Sequence, residues 1–252
     1  MLQSIIRAAC GTLFPFLMTS LGAATVFCFA GTPHPRFRQA MLGFAAGVMT
    51  AASVWSLLIP AITQSEESGI PGWLPAGAGL LLGAAFMALM DLALLHVQIK
   101  QPCFPGSRNS ALLSAAITLH NIPEGMAVGL AFALASENGQ SAGAAALALG
   151  IGIQNFPEGA AISLPLRQEG HSRRSAFCTG AASGAVEPIA GILTVLCAAG
   201  AASWMPWLLS FAAGAMLYVI AEELIPQAHS KTGTCGFLLG FLIMMVLDVA
   251  LG

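Results

Sequence analysis

His120, Asn121 and Glu124 lie within His-Asn-Ile-Pro-Glu-Gly, and Gln154, Asn155 and Glu158 lie within Gln-Asn-Phe-Pro-Glu-Gly, one pattern written twice inside long apolar stretches. Imidazole, carboxylate and amide oxygen are donors with which proteins hold divalent cations. A carboxylate at the centre of a membrane-spanning helix is disfavoured by roughly 2.5–3.5 kcal/mol on insertion scales, so Glu124 and Glu158 read as functional. At about 100° per helical residue, Glu124 falls angularly between His120 and Asn121, so its carboxylate reaches an ion on either side. Gln154, Asn155 and Glu158 repeat that geometry. The pair of segments therefore predicts two adjacent cation positions bridged by two glutamates, one with His120 and Gln154, the other with Asn121 and Asn155. Imidazole and carboxylate suit zinc and iron(II), amide oxygens bind weakly enough to permit release, and a structural zinc site would use more thiolates. Pro123 and Pro157 each remove a helical hydrogen bond and loosen the carbonyls of Leu119 and Ile153. Gly125 and Gly159 are expected to let the two backbones approach each other.

The elements that carry these residues are set by composition. Of 252 residues, 57% are hydrophobic and 8% charged, and the mean hydropathy is +0.81. Soluble domains carry about 25% charged residues, so this is an integral membrane protein. Interruptions between apolar runs are short, so residues 1–252 are expected to form a single polytopic transmembrane domain with no separate soluble one. A net charge of −2, with no basic stripe beyond Arg173-Arg174, excludes nucleic acid as a partner. The apolar stretch after Arg7 is long enough to span and reads as a retained first helix. Six cysteines, Cys10, Cys28, Cys103, Cys178, Cys197 and Cys235, show no Cys-x-x-Cys spacing and read as small buried hydrophobes.

A bilayer core of about 30 Å needs roughly 20 apolar residues per helix. Breaks at 31–39, 62–73, 97–109, 134–141, 165–175, 200–206 and 227–235 then predict an all-α protein of eight transmembrane helices. Alternate loops hold Arg36 and Arg38, Lys100 and Arg108, Arg167, Arg173 and Arg174, and Lys231, whereas the opposite loops hold Glu66, Glu67 and Glu137. The positive-inside rule makes the first set cytoplasmic and puts both termini in the periplasm.

An internal repeat crosses these spans. Phe44-Ala-Ala-Gly-Val-Met49 and Leu58-Ile-Pro60 recur as Phe211-Ala-Ala-Gly-Ala-Met216 and Leu224-Ile-Pro226. Gly79, Leu81-Leu-Gly83 and Asp91 recur as Gly236, Leu238-Leu-Gly240 and Asp248, and Gly22, Thr25 and Cys28 recur more weakly as Gly191, Thr194 and Cys197. Spans 1–3 thus match spans 6–8 and span 4 matches span 5. An odd number of crossings separates the matching parts, so the arrangement is an inverted 3+2+3 repeat. Secondary transporters use such symmetry to balance inward-open and outward-open states around a mid-membrane site.

With these segments the chain resembles the ZIP family of divalent metal transporters, and within it the bacterial GufA-like group. The resemblance covers essentially the whole chain and includes Val186-Glu187-Pro188 and Glu222-Glu223-Leu-Ile-Pro226. It implies a binuclear centre on spans 4 and 5, completed by a glutamate from span 6 and a methionine from span 2. By position, the first metal would take Met49, His120, Glu124, Gln154 and Glu158, and the second Asn121, Glu124, Asn155, Glu158 and Glu187. Some relatives have aspartate where this chain has Asn155, so the second position here carries one charge fewer. The resemblance also implies transport of zinc, with iron(II), manganese and cadmium as further substrates, into the cytoplasm across a bacterial inner membrane. The metal would be cargo, with no cofactor required; lipid is the surrounding partner, and a homodimer stays open.

Further intramembrane charges suggest a route out. Asp91 and His96 on span 3, with Glu222, Glu223 and His229 on span 7, all lie toward the cytoplasmic ends and could form an exit path. Proton and metal compete for the lone pairs of His120 and the glutamates, which offers a means of release. Asp248 reads as interfacial or paired, His34 as a solvated loop residue, and Met41, Met87, Met90, Met126, Met244 and Met245 as packing residues. The rival reading is an intramembrane metal-dependent hydrolase. Against it, the chain has no His-Glu-x-x-His, no nucleophile elbow and no use for an inverted repeat. A channel of the same fold is the other alternative, separated by whether flux saturates.

Overall fold

A computed structural model of the chain describes residues 2–29, 34–100, 108–138, 141–198 and 202–251. Cys103 lies outside them. The described residues are helical throughout apart from short turns: α1 (Leu2–Cys28), α2 (Pro35–Ala52), α3 (Ile59–Glu67), α4 (Trp73–Lys100), α5 (Arg108–Asn138), α6 (Ser141–Gln168), α7 (Arg173–Gly184), α8 (Val186–Ala198), α9 (Met205–Val219), α10 (Ile225–Ala228) and α11 (Lys231–Leu251). Local chemistry sets the ends. Pro35 opens α2 behind His34, whose Nδ1 accepts from the Arg36 N–H at 3.3 Å, and Ser172 caps α7 by accepting from the Ser175 N–H at 3.1 Å. Gly69 and Gly170, with φ of 77° and 96°, close α3 and α6 in the left-handed conformation that glycine adopts without strain.

Residues 53–58 and 220–224 are π-helical turns that join α2 to α3 and α9 to α10 without a break. Each precedes an Ile-Pro pair. Pro60 and Pro226 have no N–H to offer the carbonyl four residues back, and the preceding isoleucine bonds five back instead, Ile59 to Val54 and Ile225 to Ile220. The wider turn re-aims Ser56 and Glu223, a displacement that a regular 3.6-residue period does not foretell.

Among the described residues, six segments are long and apolar enough to cross a membrane: Ile5–Cys28, Pro35–Glu67, Trp73–Leu94, Arg173–Cys197, Met205–Ala228 and Lys231–Leu251. The chain is a multi-pass membrane protein. The other two long helices, α5 and α6, have 31 and 28 residues and carry the Asn-x-Pro-Glu-Gly segments, whose polar side chains lower their hydropathy.

Two groups of helices emerge from the packing. Helix α1 lies along α6, α7 and α8, and α5 along α8 and α6; α2 lies along α11, and α4 along α9. Small residues seat the second group backbone to backbone. A Cβ on Gly240 would stand 2.1 Å from the Phe44 carbonyl oxygen, and one on Gly83 would stand 1.9 Å from that of Phe211. Such approaches let helices associate in lipid, where burial of apolar surface offers no drive. The described cysteines, Cys10, Cys28, Cys178, Cys197 and Cys235, correct an expectation, because all are exposed on the outer surface of the bundle. A bilayer is itself apolar, so a small hydrophobe gains nothing by turning inward.

Candidate metal centre

The two repeated segments face the interior of the bundle. His120 is 6% exposed, Glu124 1% and Glu158 7%, while Asn121, Gln154 and Asn155 are fully buried. Both helices run through Pro123 and Pro157. Gly125 and Gly159 do not bring α5 and α6 together as expected. A Cβ on Gly125 would lie 2.3 Å from the Glu187 carbonyl oxygen on α8, and one on Gly159 would lie 1.9 Å from that of Thr19 on α1. The glycines therefore seat α8 on α5 and α1 on α6. That contact brings Glu187, fully buried in the first turn of α8, into the cluster.

The amides share one orientation. Gln154 Nε2 donates to Glu124 Oε1 at 2.8 Å, Asn155 Nδ2 to Glu187 Oε1 at 2.9 Å, and Asn121 Nδ2 to the Ser183 carbonyl at 2.9 Å. Each amide nitrogen is thus engaged by protein, and each amide oxygen is left over. Asn121 Oδ1, Gln154 Oε1, Asn155 Oδ1, Glu124 Oε2, Glu158 Oε2 and Glu187 Oε2 are buried without a hydrogen-bond donor among the described residues. Leaving a buried polar atom unpaired costs about 1–3 kcal/mol, and more for a charged group, so six on the packed helices α5, α6 and α8 fit a positive ligand. Oxygen donors from carboxylate and amide are what a divalent cation accepts.

His120 turns to another partner as well. Its Nε2 lies 3.0 Å from Glu223 Oε1, and ligand atoms of Asp91, His120 and Glu223 all fall within 4.8 Å of one another. Of the expected exit residues, the structure brings Asp91 and Glu223 to His120. His96, Glu222 and His229 are exposed and stand outside that group. Asp248, matched to Asp91 in the repeat, is paired: Ser56 Oγ donates to its Oδ1 at 2.6 Å.

A cavity of about 630 Å³ links the cluster to one end of the bundle. Met49, His120, Glu124, Glu158 and Glu223 line it at mid-helix, while His34, Arg38 and Gln227 line it at helix ends. Met49 is 1% exposed and lines the same cavity as His120, Glu124 and Glu158. His34 is exposed, but at the rim of this cavity and not in a detached loop, and Met41 lines the wall between them. Asn121, Gln154, Asn155 and Glu187 are not part of the lining and lie sealed behind it. Sequence reasoning missed Thr19, whose Oγ1 sits 3.2 Å from Glu187 Oε1. A lone threonine in an apolar helix carries no signal of such a role.

Buried, mutually bonded donors inside a bundle of spanning helices define a polytopic membrane protein with a polar centre. A profile described as ZIP Zinc transporter matches residues 96–248. The chain is 35% identical to Zinc transporter ZIP11 of Homo sapiens over 99% of this chain and 98% of that protein. It is 38% identical to Zinc transporter GufA of Myxococcus xanthus over 84% and 86%, and 36% identical to Zinc transporter ZIPB of Bordetella bronchiseptica over 97% and 81%. The chain belongs to the ZIP zinc transporter family.

Proposed function

We propose that this protein carries zinc, and related divalent ions such as iron(II), manganese and cadmium, into the cytoplasm across a bacterial inner membrane. The observation that carries the reading is the set of six buried, donor-less oxygens on α5, α6 and α8. The relatives' names point to the same ion. In this reading the first position takes Met49, His120, Glu124, Gln154 and Glu158, and the second takes Asn121, Glu124, Asn155, Glu158 and Glu187. Asp91 and Glu223 stand next in line as a step toward release.

The whole chain then forms one domain of eight spans, α5 and α6 joining the six apolar ones, in an inverted 3+2+3 arrangement. The packing supports this symmetry in detail. Gly240 meets Phe44 as Gly83 meets Phe211, Gly47 meets Phe237 as Gly214 meets Leu80, and both π turns fall at matching places. The cavity reaches His34, Arg38 and Gln227, at or beside helix ends that also carry Arg36 and Lys231, so with those ends cytoplasmic and both termini periplasmic this is an inward-open form.

Alternating access is the proposed mechanism, and the packing bears on which helices move. The two three-span repeats interlock through the glycine-seated pairs α2 with α11 and α4 with α9, so sliding one repeat against the other would break those seats. Helices α1 and α5 to α8 hold every donor of the two positions except Met49 and touch the remaining helices more sparsely. That group moving against the rest is the motion the packing favours. Glu124→Ala and Glu158→Ala, purified in proteoliposomes, are each expected to abolish zinc uptake while the protein still inserts. Uptake retained by either variant contradicts the bridging role.

A further inference from the structure

We propose that Thr19, on α1, is a positioning residue that holds Glu187 as a one-oxygen ligand for the second cation position; the proposal rests on the metal-carrying reading above. Helix α1 supplies none of the candidate ligands read from the sequence, yet Thr19 is fully buried against Glu187. Its hydroxyl has two acceptors, Pro15 O and Glu187 Oε1, both at 3.2 Å. Other buried hydroxyls that return to the carbonyl four residues back do so more closely: Thr12 at 2.8 Å, Ser53 at 2.8 Å, Thr194 at 2.7 Å and Ser210 at 2.8 Å. The Thr19 hydroxyl is shared between its own helix and the carboxylate.

Asn155 Nδ2 reaches that same Oε1 at 2.9 Å. One oxygen of Glu187 therefore has two potential donors, from α1 and α6, while Oε2 has none and is buried. Pinning one oxygen fixes the rotation of the carboxylate and presents the other to the site. The backbone leaves Thr19 little freedom to do otherwise, since a Cβ on Gly159 would stand 1.9 Å from its carbonyl oxygen and one on Gly184 would stand 2.9 Å from its Cβ. Removing one of the two groups that can donate to a buried carboxylate oxygen should be felt at the ligand they orient.

The experiment is calorimetric titration of the purified full-length protein with zinc. Wild type is expected to bind two equivalents. Thr19→Val, which keeps the shape and removes the hydroxyl, should weaken the second about tenfold or more and leave the first unchanged. Thr19→Ser should restore it, and Thr19→Ala, which adds no bulk, should repeat the loss. Unchanged binding in Thr19→Val and Thr19→Ala overturns the proposal, as does a Thr19→Ser variant that is equally impaired. A wild type that takes one equivalent overturns it and leaves the first position standing; one that takes none removes the metal reading as well.

Discussion

At the scale of single residues, the informative contrast is between the two ends of each amide. Asn121, Gln154 and Asn155 spend their nitrogens on protein acceptors and keep their oxygens free, so the donor set can hold a cation without carrying a charge for every ligand. Asn155 is where that balance is most easily shifted. Asn155→Asp supplies an anionic oxygen but takes away the donor to Glu187 and sets two carboxylates side by side. We expect zinc to bind the second position about tenfold more tightly, and the metal-free protein to melt at lower temperature than wild type. Calorimetry and a thermal melt with and without zinc check both; unchanged binding would remove position 155 from the ligands. Residue types and spacing made Glu124, Glu158, His120 and the amides legible, because such groups are rare in lipid. Thr19 was not legible, since a helical hydroxyl is ordinarily satisfied by its own backbone. The seats of Gly125 and Gly159 were misjudged for a related reason: a small residue announces a close approach without naming the partner.

Among the elements, apolar run length foretold six spans, since hydropathy reports how much of a helix lipid can cover, while α5 and α6 are not among them. It failed at the π turns. Their sign in the sequence is only Ile59-Pro60 and Ile225-Pro226, and the extra residue in each turn is what sets Ser56 beside Asp248 and Glu223 beside His120. The glycine seats between α2 and α11 and between α4 and α9 are equally specific. Gly83→Val and Gly240→Val each force a side chain into a carbonyl and should destabilise the fold by at least the 1–3 kcal/mol typical of overpacking. Both variants should melt well below wild type in detergent, whereas Gly77→Ala, at a glycine with open space around it, should not. Equal melting temperatures for Gly83→Val and Gly77→Ala would contradict the seating described for α4 and α9.

For the whole molecule, the one-sided cavity lets the proposed orientation be tested chemically. Met41 lines the cavity, while Leu147 is fully buried on α6 on the far side of Gln154. In a background with the native cysteines replaced, Met41→Cys should react with a membrane-impermeant maleimide applied to the cytoplasmic face, and Leu147→Cys should be protected. Labelling of Met41→Cys only from the periplasmic face would reverse the assigned direction. The matching segments were readable as letters in the sequence; the seats between α2 and α11 and between α4 and α9 were not, because they depend on contacts between distant parts of the chain. Where an ion binds in the bundle is measured most directly by anomalous diffraction at the zinc edge from zinc-soaked crystals. The structure described here predicts a peak between α5 and α6, about 2.0–2.2 Å from oxygens of both Glu124 and Glu158. A map with zinc only beside Asp91 and Glu223, or with none in the bundle, would contradict it.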